Sequence, residues 1–247
     1  MSYIWNEFNI KTFPAETIVY RDGIFAPDLS TINTGKIDKK YDLPVHIIYV
    51  GEIVDKNDFV IDINVENQPV FLSVDIKNKK PAFLNIFIKN TGKNSELRGH
   101  VFVENFDQLN LDINAGHFNE NTGVLVHTKL IAHKDTYSKL SGIAEIAGKC
   151  RECTSDISFS AIADNTAKIE FLPAQRIKSE PKSAEHSASI YRLLPAQIEY
   201  LRTAGLSTSE IQDVSFEAFK KDFSLFFLKL TKKNNSQMKV KKTKKNF

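Results

Sequence analysis

The chain has 247 residues, 42% of them hydrophobic and 26% charged, which is enough core material for one large domain or one domain with an appendage. No apolar run approaches the ~20 residues of a membrane-spanning helix, and the start, MSYIWNEFNIKTF, lacks the basic and apolar regions of a secretory signal. With two cysteines and no such signal, the expectation is a cytoplasmic, disulfide-free protein that does not engage a membrane.

The formal charge of +3 is unevenly spread. Residues 231–247 hold seven lysines and no acid, so the rest of the chain sits near −4. A clustered basic end attracts anionic partners in principle. The expectation here is a solvated, disordered tail over 232–247, with no nucleic-acid partner.

Residues 1–40 are read as an N-terminal extension. From Asp42 to Leu172 the dominant period is two, which sends alternate side chains to opposite faces of a strand. Ile61, Ile63 and Val65 alternate with polar residues, as do Leu72, Val74 and Ile76, and then Leu109, Leu111 and Ile113. Asn90-Thr91-Gly92 and Asn121-Thr122-Gly123 punctuate these runs with residues suited to positive φ. Helices long enough for βαβ crossovers are missing, which excludes a doubly wound sheet. Residues 69–78 (PVFLSVDIKN) and 81–90 (PAFLNIFIKN) repeat twelve residues apart. A repeated strand-and-turn unit suits a solenoid. Short strands at regular spacing suit a β-sandwich too, and the pattern does not separate the two.

The pattern changes after Ser187. Pro195 can open a helix, Ile198 and Leu201 give it an apolar face, and Gly205 is placed to end it. Ser207-Thr208-Ser209-Glu210 then forms a capping box. Behind it Ile211, Val214, Ala218, Phe219, Phe223, Phe226, Phe227 and Leu230 recur at helical steps, an amphipathic helix whose aromatic stripe serves as core or as a partner-binding face.

Chemistry is sparse. Cys150 and Cys153 form a single C-x-x-C without the second pair of a zinc ribbon. In a regular strand they would face opposite sides, so they could share a metal only if a turn intervened, which Gly148 permits. Of six histidines, none forms an HExxH pair; His127 and His133 read as surface or packing residues. His186 differs, because Glu185 stands beside it at the junction of strands and helices, and a carboxylate next to an imidazole can ligate or orient. No phosphate loop, GxGxxG or GxSxG occurs, and no pair of acids is singled out for catalysis.

The stretch from Ala184 to Phe223 resembles the C-terminal signature of the SufB/SufD family of iron–sulfur cluster assembly scaffolds. The matching residues are His186-Ser187-Ala188-Ser189, then Tyr200-Leu201-Arg202-Thr203-Ala204-Gly205-Leu206, then Ala218-Phe219. Ala167-Lys168-Ile169-Glu170 with Pro173, Thr128-Lys129-Leu130, Ser141-Gly142 and Leu43-Pro44-Val45-His46-Ile47 are similar to the family's rungs. The resemblance implies a mainly β protein: a right-handed parallel β-helix over 41–186, then a C-terminal helical segment over 187–231. It implies a non-catalytic scaffold that works with a SufC-type ABC ATPase docked on the helices, through Tyr200, Leu201, Phe219, Phe223, Phe226 and Phe227. A second SufB/SufD-type subunit, a copy of itself or a paralogue, would complete the complex. The cargo implied is a transient iron–sulfur cluster or iron, not a tightly bound cofactor, with His186 and Glu185 as ligands and Cys150 and Cys153 as further metal donors. The chain departs from the family at two thiol positions: Ser158 stands near the SufB-type cysteine, and Ala184 where many SufD chains have one. It also lacks the N-terminal helical domain of larger members, which points to a short SufD-like subunit. Two other readings are a β-solenoid binding module that never handles iron, and a carbohydrate-active β-helix enzyme, which would cluster acids along one face.

Overall fold

A computed structural model describes residues 16–221 except 33, 38–40, 56–57 and 67. Thirteen strands dominate the described residues. They are β1 (Glu16–Arg21), β2 (Ile24–Phe25), β3 (Val45–Ile53), β4 (Asp58–Val65), β5 (Pro69–Asn78), β6 (Ala82–Asn90), β7 (Glu96–Asn105), β8 (Gln108–His117), β9 (Gly123–Ala132), β10 (Tyr137–Ile146), β11 (Thr154–Ala163), β12 (Lys168–Ile177) and β13 (Ser183–Tyr191). Two helices follow, α1 (Pro195–Thr203) and α2 (208–221).

From β3 onward, odd strands build one sheet and even strands the other, in the orders β13-β11-β9-β7-β5-β3-β1-β2 and β12-β10-β8-β6-β4. Each strand pairs in parallel with the strand two places away in sequence. A sandwich of neighbouring antiparallel strands is thereby excluded: the chain coils as a parallel β-solenoid of about six turns. The twelve-residue repeat spans half a turn. Its first copy is β5 in one sheet and its second is β6 in the other, and both bury the same alternating positions, Leu72, Val74 and Ile76 against Leu84, Ile86 and Ile88.

Register aligns identical roles into rows. Ile47, Leu72, Gly99, Val126 and Ile157 form one inward row, and Leu84, Leu111 and Leu140 another. A fully buried leucine of this kind contributes about 1.5–3 kcal/mol. On the outer faces, Lys79–Glu52, Lys93–Glu120 and Lys178–Glu145 ion pairs link neighbouring turns at 2.7, 2.8 and 3.4 Å. Exposed pairs like these add roughly 0–1 kcal/mol each.

Corners are secured by buried asparagines. Asn78 Nδ2 donates to Asn105 Oδ1 at 2.8 Å and to the Gln108 carbonyl at 3.0 Å, and Asn105 Nδ2 donates to Ser138 Oγ at 2.8 Å. Asn90 Nδ2 likewise reaches the carbonyls of Ser95 and Gly123. Positive φ falls at Asn121, as the Asn-Thr-Gly motif suggests, but at Asn94 and not within residues 90–92, because Asn90 is held inside by these bonds.

The two ends of the solenoid differ. At the first, β1 adds in parallel to β3, and the Asp22-Gly23 turn, both residues at positive φ, folds the two-residue β2 back on it. Tyr20 stacks on Tyr49 at 4.3 Å and meets Phe25 edge-on, closing that end. At the other end, no described strand lies beyond β13 or β12. Ile190 continues the row of Val103, Leu130 and Ala161, all buried, yet is 40% exposed. Ile177 continues the row of His117 and Ile146 and is 45% exposed.

The described helices form a separate compact unit from Leu193 onward. Pro195 starts α1, the Leu194 amide is capped by Gln197 Oε1 at 2.9 Å, and Gly205 at φ +90° ends the turn beyond it. The Ser207–Glu210 capping box forms as expected, with the Ser207 amide donating to Glu210 Oε2 at 2.8 Å and the Glu210 amide to Ser207 Oγ at 3.3 Å. In α2 the buried face runs through Ile211 and Phe216, while Val214 is exposed. The stripe is therefore rotated from the one that includes Val214 and Ala218.

Gly142 tests how tightly the interior is filled. A Cβ built there would lie 2.8 Å from both Ile157 Cγ2 and Phe159 Cζ. Phe159 is buried and stacks on Phe171, so it has little room to yield. Gly142→Ala should lower the unfolding free energy by about 1–3 kcal/mol in a urea titration. An unchanged midpoint would mean the ring has slack.

Candidate functional site at the last rung

His186 lies on β13, opposite Ile157 of β11, in the row whose earlier members are core side chains. It is exposed because no described strand stacks beyond β13. All six histidines of the chain are described, and His186 alone is exposed. Glu185 is exposed too, but alternation turns it to the outer face, in register with Asp156. The structure thus puts the two candidate ligands on one strand and does not bring them onto one face. Among the described residues, no three or more of His, Cys, Asp and Glu are grouped to hold a metal ion.

The outer face behind β13 carries a polar row that sequence reasoning missed. Ser73, His100, His127, Ser158 and Ser187 occupy successive strands of one row. His46, one row over, bonds Ser73 Oγ through Nε2 at 2.8 Å, the His100 and His127 rings are 5.8 Å apart, and His127 Nδ1 bonds Ser158 Oγ. The signal was available in the sequence only as histidines at strand positions 27 residues apart, which becomes legible once the turn length is known. Burial pushes His46 down to about 4 and His100 to about 3, the latter helped by the nearby His127, His46 and Lys129 charges. His127 is also lowered by burial, against the pull of Asp156. Asp156 is raised, first by burial and then by Glu185, with His127 opposing.

Cys150 and Cys153 are buried in the corner between β10 and β11. A turn does intervene between them: Glu152 adopts φ +57°. The two thiols pack with Ile146, Ala147 and Ala184, the residue before Glu185. His117 Nδ1 bonds Thr122 Oγ1 at 2.8 Å, and Thr122 Oγ1 reaches Cys153 Sγ at 3.2 Å. Burial pushes His117 down to about 4.

Of the candidate partner-binding residues, Tyr200 on α1 is 74% exposed, Leu201 is half-buried, and Phe219 on α2 is half-buried. Phe223, Phe226 and Phe227 lie outside the described residues. No described helix is long and apolar enough to cross a membrane.

Residues 74–219, more than half of the chain, match the model of the family described as SUF system FeS cluster assembly, SufBD core domain. The chain belongs to the SufBD family. It is a component of SUF iron–sulfur cluster assembly. No curated protein matches it. The matched span runs from within β5 to within α2, so it takes in His100, His127, Ser158 and Ser187 of the polar row, the thiol corner, β13 and α1. Ser158 sits on β11 directly beside Ser187, the residue after His186 on the neighbouring strand.

The buried histidines make stability depend on pH. For a histidine whose folded value lies below its unfolded value near 6.5, the stabilisation is complete above 6.5 and is lost as pH falls towards the folded value. His46, His100 and His117 each lose up to about 2 kcal/mol by pH 5 on this basis. Asp156, raised when folded, works in the opposite sense as it gains a proton. The urea midpoint should fall between pH 7 and pH 5; a flat midpoint would show that these rings are not held neutral.

Proposed function

We propose that the chain is a scaffold subunit of cluster assembly, acting with a SufC-type ABC ATPase and a second SufB/SufD-type subunit. The observation that carries the reading is the last rung. There the chain's one exposed histidine stands on β13, the last strand of its sheet among the described residues, at the end where Ile190 and Ile177 of the interior rows are exposed.

In this reading the cargo lies along the edge of β13, reached from the inner row by His186 and from the outer row by Glu185. Iron–sulfur clusters take four protein ligands, so two donors from this chain call for more from a second subunit. That subunit, a copy or a paralogue, would also cover Ile190 and Ile177. The cargo is held transiently and no cofactor stays bound. Cys150 and Cys153 would add thiolates only if their corner opened. Residues 187–231 serve as the ATPase dock, with Tyr200 and Leu201 in the described part of it. The chain catalyses no step itself: ATP hydrolysis in the partner pulls on the helices and opens the scaffold interface. The setting is the cytoplasm.

A second reading is favoured by Ser158 and Ala184, neither of which offers a thiol beside the site. It is a SufD-like module that assembles with partners and does not handle iron or sulfide.

Co-expression with the SufC-type ATPase and a SufB-type subunit, followed by anaerobic reconstitution, separates the two. His186→Ala should abolish cluster formation while leaving the complex intact, and a cluster yield equal to wild type would hand the case to the binding module. Tyr200→Asp should abolish co-purification with the ATPase while changing stability by less than about 0.5 kcal/mol, since its side chain is mostly in solvent. Retained association would remove α1 from the dock.

A further inference from the structure

We propose that Cys150 and Cys153 are a reversible disulfide pair, closed by exchange with a small-molecule disulfide such as oxidised glutathione.

The geometry of the corner supports this. The turn at Glu152 folds the C-x-x-C back on itself, and the two thiols sit in one apolar cluster, each at 0% exposure.

Losing both thiol protons would orphan no buried acceptor. Cys150 Sγ donates to the His117 carbonyl at 2.8 Å, which also accepts from the Ala147 amide at 3.1 Å. Cys153 Sγ donates to the Asn119 carbonyl at 3.2 Å, which also accepts from Thr122 Oγ1 at 3.2 Å. Its longer contact to the Arg151 carbonyl is backed by the Asn121 amide at 3.0 Å. The usual cost of an unmet buried group is therefore absent.

The corner is also coupled to β13 through its backbone. The Cys153 carbonyl accepts from the Lys182 and Ser183 amides at 2.8 and 3.3 Å, and the Cys150 carbonyl from Ser179 Oγ at 2.6 Å. Drawing the two side chains into a covalent bond moves those carbonyls, and with them the start of the strand that carries Glu185 and His186.

The chemistry balances. One cysteine, as thiolate, attacks a sulfur of the small disulfide and expels one thiol, leaving a mixed disulfide. The second cysteine attacks the protein sulfur of that bond and expels the other thiol. The oxidant's S–S bond is reduced to two thiols, which take up both cysteine protons, and one protein S–S bond is formed. The ring closed is very short, so it removes little entropy from the unfolded chain, and the bond is readily reduced again.

The bond does not depend on the role proposed above for His186, and its test contains no iron. The folded full chain is equilibrated over a series of reduced-to-oxidised glutathione ratios, quenched in acid, alkylated and weighed. The expected result is loss of both alkylatable thiols together, with a mass decrease of two hydrogens, reversed by dithiothreitol. Hydrogen exchange at the Lys182 and Ser183 amides should speed up on oxidation while circular dichroism is unchanged. Cys153→Ser should accumulate a lasting glutathione adduct on Cys150 that the wild type does not. Single adducts on the wild type, chains linked to one another, thiol loss only on unfolding, or no thiol loss would each overturn the pair.

Discussion

Everything in the solenoid depends on one constraint: parallel register stacks each side chain on its counterpart a turn away. Neighbouring strands lie about 4.8 Å apart, so a row is a continuous column with no space for an exception inside. Inward rows accordingly run Ile61, Ile86, Ile113 or Leu84, Leu111, Leu140. Where a bulky ring enters, a glycine faces it, as Gly142 faces Phe159. No turn could bury this surface alone; each is folded only because the next covers it.

The same stacking solves the problem of turning a corner inside a dry core. A bend leaves backbone amides and carbonyls without ladder partners, and burial makes that costly. Asn78, Asn90 and Asn105 answer it with side-chain amides that span from one turn to the next, Asn78 bonding Asn105 directly. At the corner after β10 the cysteines take over this office, with Sγ donors and main-chain carbonyls tying residues 117–119 to 179–183. That substitution of thiols for amides is what gives one corner, and no other described corner, a covalent option.

Period-two alternation made the strands and their buried faces legible, and the Ser207–Glu210 box and Gly205 marked the helix ends where they lie. The twelve-residue repeat was visible, but its meaning as half a turn was not, because periodicity does not say which strand a strand pairs with. Parallel pairing at a distance of two strands is a tertiary fact. The histidine row was invisible for the same reason: His100 and His127 are distant in sequence and neighbours only in register. Val214 and Phe216 show the limit for α2, where several helical stripes share Ile211 and packing chooses among them. His186 was singled out by its neighbours in sequence, whereas its exposure follows from the strand being last.

The location of the site follows from the stacking rule. A column filled at every turn excludes ions and cargo from the interior, and the outer rows interleave acids with lysines that pair across turns. The rule relaxes only where stacking ends. One end is sealed by the β1–β2 hairpin and its tyrosine stack, which leaves the β12–β13 end as the place where an inward row can carry a histidine in contact with solvent. His186 continues the inward row of Ile47, Leu72, Gly99, Val126 and Ile157, whose four side chains are buried in the core. A polar side chain there costs the fold little, because no further described turn covers it, and an imidazole in water keeps its hydrogen bonds where one buried in the column would lose them.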